Sequence, residues 1–123
     1  MLRHIAIDIA EADLNDFYID ILKGKIVGQF ELTKEDAIRI FNIQQSVKVY
    51  YVKYEDFELE LFIYSNLARA TFHHLCIETS DAGIFYKAAR QQNYQTFVRK
   101  NNEKETYFIK DKNGNMFELK IKI

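Results

Sequence analysis

The feature that most constrains the fold is an internal repeat. The stretch His4-Ile-Ala-Ile-Asp-Ile lays over His74-Leu-Cys-Ile-Glu-Thr, so that Ala6 matches Cys76, Ile7 matches Ile77 and Asp8 matches Glu78. In both copies apolar residues alternate with others, the pattern of a strand with one packed face. Each copy then runs into a segment with apolar residues at helical spacing: Leu14, Phe17, Tyr18, Ile21 and Leu22 in the first, Ile84, Phe85, Ala88 and Ala89 in the second. Gly24 and Asn93 are the expected breakers. Three strand-like segments follow in each half, roughly 25–32, 46–54 and 57–64, then 95–100, 105–110 and 115–123. Each half therefore reads βαβββ, and the fold class is α+β.

The halves also end alike, with Glu60-Leu61 in one final strand and Glu118-Leu119 in the other. From histidine to glutamate the spacing is 56 residues in the first half and 44 in the second. The surplus of twelve falls on 33–42, where Thr33 can cap a short inserted helix whose Ala37, Ile38, Ile40 and Phe41 are expected to face inward. Asn113-Gly114 is a strong turn signal between the last two strands, and Tyr54-Glu55-Asp56 plays that part in the first half. Asp81 and Asp111 read as solvated caps and turns. The segment 65–71 contains neither glycine nor proline, so the expectation is one domain over 1–123, with modules of about 1–65 and 71–123.

Composition excludes several classes. With 48% hydrophobic and 28% charged residues the chain is an ordinary globular one. A net charge of −1, with lysines scattered along the chain, offers nucleic acid or an acidic membrane no general attraction. No apolar run approaches the eighteen or so residues that span a bilayer. The one cysteine, Cys76, forms no intrachain disulfide, and the N-terminal stretch lacks the pattern of a secretory signal. A cytoplasmic protein is expected.

Strand alternation assigns faces. With Ile5, Ile7 and Ile9 toward the helix, His4, Ala6 and Asp8 lie on the other face; likewise His74, Cys76 and Glu78 oppose Leu75 and Ile77. In the final strands Glu58, Glu60, Phe62 and Tyr64 oppose the leucine face, as do Met116, Glu118 and Lys120. If first and last strands are neighbours and the two sheets curve toward each other, His4, Glu60, His74 and Glu118 can converge. Two imidazoles and two carboxylates suit zinc, nickel, manganese, iron or cobalt. Glu58 shares the facing of Glu60 and competes with it. Phe62, Tyr64, Cys76 and Met116 are candidate substrate-pocket walls, Cys76 as a small hydrophobe rather than a nucleophile.

With "HIAIDI", "LELF", "HLCIET" and "DKNGNMFEL" in order and register, the chain resembles the vicinal oxygen chelate superfamily, which includes glyoxalase I, extradiol dioxygenases, fosfomycin-resistance enzymes and bleomycin-binding proteins. The resemblance implies paired βαβββ modules in a half-open barrel, a divalent ion on His4, Glu60, His74 and Glu118, and a small-molecule substrate holding that ion through adjacent oxygens. It further implies a lyase or isomerase in which Glu60 or Glu118 is the catalytic proton carrier, and a homodimer. Where bacterial glyoxalase I has an arginine and an asparagine for glutathione, this chain has Asp8 and Tyr64, which points away from that substrate. The other implied class is a metal-free small-molecule-binding protein of the bleomycin-resistance type.

Overall fold

The structure, a computed structural model, describes residues 1–66 and 70–122. Residues 67–69, in the segment expected to connect the modules, and Ile123, the end of the last segment expected to be a strand, lie outside the described residues. The chain divides into two compact units, Met1–Asn66 and Leu67–Ile123. Each contains one four-stranded mixed sheet, so the α+β class expected from the repeat holds. Among the described residues no helix is long and apolar enough to cross a membrane.

Unit 1 comprises β1 (Ile5–Ile9), α1 (Leu14–Ile19), β2 (Lys25–Leu32), α2 (Lys34–Asp36, continued by a wider turn over Ala37–Phe41), β3 (Val47–Lys53) and β4 (Glu58–Ile63). Its strand order is β1-β4-β3-β2, with β1 parallel to β4 and the other pairs antiparallel. The first and last strands of the repeat are thus neighbours. Ile9, Phe17, Tyr18, Ile21, Val49, Val52, Leu59 and Leu61 are fully buried, so the helix packs on the face that alternation assigned to it. Each such side chain contributes roughly 1.5 to 3 kcal/mol by leaving water.

Two details of unit 1 differ from expectation. The residue that turns left-handed after α1 is Lys23, at φ 63°, not Gly24. Gly24 is needed for space: a Cβ there would overlap Val52 Cγ1 and stand 2.6 Å from the Tyr54 ring. The inserted helix forms, with the Asp36 amide donating to Thr33 Oγ1 at 3.2 Å. Of its apolar residues, however, only Ala37 is buried, while Ile38, Ile40 and Phe41 are exposed by 42, 58 and 50%. Over Ala37–Phe41 the turn has π geometry and ends on left-handed Asn42. The widened turn is not the cause, since Leu14–Ile19 has the same π geometry and still buries Leu14, Phe17 and Tyr18. The insert rests on its unit through Ala37 and the Phe41 ring edge, and no described element covers Ile38 and Ile40.

Unit 2 comprises β5 (His74–Thr79), α3 (Ala82–Gln91), β6 (Gln95–Asn101), β7 (Lys104–Lys110) and β8 (Met116–Ile121). The order β5-β8-β7-β6 repeats that of unit 1, again with a parallel first and last pair. Phe85 and Ala89 bury the inner side of α3, but Ile84 is 60% exposed, with Ala82 taking the inward place instead. Asn93 is left-handed at φ 65°, as a breaker should be. Asp111 is not solvated: it is buried, and its carboxylate accepts from the Asn115 amide at 2.7 Å and from Asn115 Nδ2 at 2.8 Å. Gly114, at φ 87°, completes the turn that Asn113-Gly114 announced.

Candidate functional site

In unit 1 the register sets Ala6 opposite Glu60 on adjacent strands, and His4 stands two residues before Ala6. Its imidazole reaches diagonally along the same face, bringing Nε2 to 3.3 Å from Glu60 Oε1. In unit 2 Cys76 is opposite Glu118 and His74 two residues before it, with Nε2 3.1 Å from Glu118 Oε1. The offset is the same in both. Period-two alternation fixes the face, and parallel pairing of first and last strands brings histidine and glutamate together. Both glutamates are mostly covered and both histidines about 40% exposed. Glu58, the competitor of Glu60, lies opposite Lys53.

The surroundings of the two pairs differ. His74 Nδ1 is 2.8 Å from the Phe72 carbonyl oxygen. A carbonyl only accepts, so Nδ1 carries the hydrogen, and in the neutral ring Nε2 presents its lone pair to the Glu118 carboxylate. Two acceptors at 3.1 Å repel unless a proton or a metal ion joins them. His4 instead sets its ring at 62° to Tyr51, with centroids 5.9 Å apart. Tyr51 lies opposite Glu60 in register, and the pull of that carboxylate on its hydroxyl, with some burial and the negative field of Glu60, pushes the phenol above its ordinary range. The matching partner of Glu118 is Phe108, which has no hydroxyl, while Lys120 Nζ stands 3.7 Å from Glu118 Oε2.

Donors on adjacent vertices of a tetrahedral or octahedral ion, with bonds of about 2.1 Å, stand roughly 3.0 to 3.4 Å apart. Both His–Glu pairs fall in that range, and imidazole nitrogen with carboxylate oxygen is a suitable donor set for a first-row divalent ion. The Phe72 carbonyl supplies the outer hydrogen bond that orients a ligating imidazole. Within either unit, among the described residues, no group of three His, Cys, Asp or Glu side chains gathers to hold an ion alone.

Of the expected pocket walls, Phe62 and Tyr64 line a cavity of about 150 Å³ in unit 1, together with Ala6 and Asp8 of β1 and Ala37 and Phe41 of the insert. Cys76 and Met116 flank the second pair, one opposite Glu118 and the other opposite His74. Cys76, expected to be a small buried hydrophobe, is exposed; what covering it has, then the Glu118 charge, raises its thiol, which keeps it protonated and a poor nucleophile. Sequence reasoning missed Tyr51 as a partner of Glu60. The run Val49-Tyr-Tyr-Val52 shows a strand but not which tyrosine lies opposite the carboxylate.

No family model matches the sequence, and no curated protein does. Among solved structures, the fosfomycin resistance protein FosX from Listeria monocytogenes in its hexagonal form superposes with a TM-score of 0.75 at 11% identity, over 100% of this chain and 93% of that one. A glyoxalase family protein from Enterococcus faecalis gives 0.70 at 17% identity, over 97% and 95%. The protein SMU.1112c gives 0.66 at 19% identity, over 97% and 96%. A glutamate-to-glutamine variant of the Listeria FosX has been crystallised with Mn(II) and 1S,2S-dihydroxypropylphosphonic acid.

Proposed function

Given a chain with the fold of the vicinal oxygen chelate superfamily, the fold of FosX and glyoxalase-family proteins, we propose that it is a divalent-metal-dependent lyase or isomerase. Its substrate would be a small α-hydroxy carbonyl or dicarbonyl compound. His4 with Glu60, and His74 with Glu118, are the two halves of one ligand set, supplied by one chain or by two copies in a homodimer. The observation that carries this reading is the recurrence of one His–Glu pair, at one register offset, in both units.

When bound, a divalent ion supplies Lewis-acid polarisation of adjacent substrate oxygens. His4 and His74 present Nε2, and the Phe72 carbonyl holds the second ring in the orientation that frees that nitrogen. Glu60 or Glu118 takes the proton from the carbon beside those oxygens and returns it to the neighbouring position. Phe62, Tyr64, Cys76 and Met116 form the walls. The protein works in the cytoplasm on a small molecule, with neither nucleic acid nor membrane as a partner.

A metal-free binding protein of the bleomycin-resistance type is the second reading, which the largely apolar cavity lined by Phe62 and Tyr64 favours. Elemental analysis of protein purified without chelator separates the two. The enzyme reading expects stoichiometric metal whose affinity falls by more than about 100-fold in both His4→Ala and His74→Ala, since removing even an outer partner of a ligand costs about 10- to 100-fold. Metal-free protein that folds unchanged in both variants would establish the binding reading instead.

A further inference from the structure

Beyond each His–Glu pair the repeat sets one further row, Asp8 opposite Phe62 in unit 1 and Glu78 opposite Lys120 in unit 2. In unit 2 both positions are exposed and of opposite charge, an ordinary cross-strand surface pair. In unit 1 the lysine's place is taken by an aromatic ring, and the insert lies against it, Phe41 meeting Phe62 edge-on at 5.7 Å. Beside them is the cavity of about 150 Å³, most of whose wall is apolar. Small side chains leave the room: Ala37 of the insert, which is buried, and Ala6 of β1 both line it. Asp8 and Tyr64 on the same wall have partners within the protein, so an occupant has no need to satisfy them.

Position, access and size point to an occupant. Ala6 is the register partner of Glu60, and Phe62 follows Glu60 by two residues on the same face, a rise of roughly 7 Å, so the cavity adjoins the first His–Glu pair. Ala6 and Phe41 are exposed where they border it, which leaves it open to molecules from solvent. Its volume is about that of apolar cavities that hold benzene, and well below the roughly 300 Å³ at which pockets for drug-sized ligands begin. Only one ring or a branched alkyl chain fits there, and an apolar wall gains by exchanging water for such a group. We propose that this cavity binds an apolar group of about one ring in size, carried by a small molecule held on the face of the His4–Glu60 pair. The proposal rests on the reading of that face as a small-molecule site, in its metal-dependent or its metal-free form. It gives the insert, through Ala37 and Phe41, the choice of which molecules fit.

The test uses the full chain after chelator treatment, so that metal plays no part, and titrates it with propan-2-ol, benzyl alcohol and 2-naphthylmethanol while following backbone amide shifts. Benzyl alcohol should bind at least about tenfold more tightly than propan-2-ol, since each buried methylene contributes about fourfold in affinity. The naphthyl compound should bind at least about tenfold more weakly than benzyl alcohol, because a second ring overfills the space. The shifts should centre on Ala6, Phe41 and Phe62 and reach Glu60. Ala6→Leu, which fills the cavity from an exposed strand position, should weaken benzyl alcohol at least about tenfold. Phe41→Ala, at an exposed position of the insert, should bring the one-ring and two-ring compounds to within about twofold, as expected when that side chain sets the size limit. No binding of benzyl alcohol at millimolar concentration, equal affinity of the one-ring and two-ring compounds for the wild type, or affinities unmoved in both variants would each overturn the site. If Ala6→Leu fails to fold, the size series on the wild type and on Phe41→Ala decides alone. Metal content, measured on protein purified without chelator, judges the metal reading separately: metal without benzyl alcohol binding overturns the cavity and spares that reading, and benzyl alcohol binding to metal-free protein does the reverse.

Discussion

Unit 1 and unit 2 share strand order, register offset and a histidine–glutamate pair, yet almost every contact around those pairs differs. Glu60 has a tyrosine, Tyr51, as its strand neighbour, whereas the corresponding neighbour of Glu118 is phenylalanine. His74 is steered by the carbonyl of Phe72, and His4 leans on an aromatic edge. Unit 1 covers part of its open face with an inserted helix; unit 2, with no insert, leaves a charged pair there. The lesson is that a duplicated sheet holds a pair of residues in place through backbone register alone. The side chains around each copy are then free to diverge, because none of them sets the pairing.

If the two frames are equivalent, their cores should fail equally. Leu61 and Leu119 occupy matching, fully buried positions, and Leu61→Ala and Leu119→Ala should each cost about 2 to 5 kcal/mol. Chemical denaturation measures both; a large inequality would break the equivalence. A smaller asymmetry is expected at the closing turns. Both closing turns have a backbone bond, from the Tyr54 amide to the Phe57 carbonyl at 2.9 Å in unit 1 and from the Asp111 amide to the Asn115 carbonyl at 3.1 Å in unit 2. In unit 2 the buried Asp111 carboxylate adds two bonds from Asn115. Asp111→Ala should therefore cost about 1 to 3 kcal/mol, by leaving buried donors without their acceptor. Replacing Asp56 by alanine should cost less than about 0.5 kcal/mol, as for an exposed position.

The smallest effect lies at the first pair. Tyr51 holds its proton above the usual phenol value of 10.0, mainly through the pull of Glu60. Between that value and the raised one, the folded state keeps a proton that the unfolded chain has released, so this contribution is present below pH 10 and is lost as pH rises through the folded value. Glu60→Gln should bring the Tyr51 titration, read by ultraviolet absorbance or NMR, back toward its ordinary range. Phe108→Tyr should introduce a similarly raised phenol in unit 2. A Tyr51 titration indifferent to Glu60→Gln would refute the difference between the two surroundings.

Much of the candidate site was legible before any coordinates. His4, His74, Glu60 and Glu118 were found by matching repeat copies and by two-residue alternation, and both signals are local. The inward assignment of Ile38, Ile40 and Phe41 failed because a helical period says which residues align, not whether neighbouring elements cover them; Leu14–Ile19 has the same π geometry as the insert and still buries its apolar side. Asp111 was misjudged for a related reason. A turn aspartate looks alike in sequence whether its carboxylate faces water or is enclosed by the backbone of its own loop.

By itself the sequence determined the duplication, the strand faces, the helices and the position of the surplus twelve residues, since these follow from periodicity and spacing along the chain. Only tertiary structure decided which strand lies beside which, and hence that Tyr51 rather than Tyr50 meets Glu60 and that Phe41 closes over Phe62 beside Asp8. Register and enclosure depend on residues far apart in the chain. No local pattern records which of several similar neighbours will be opposite a given side chain once the sheet has formed.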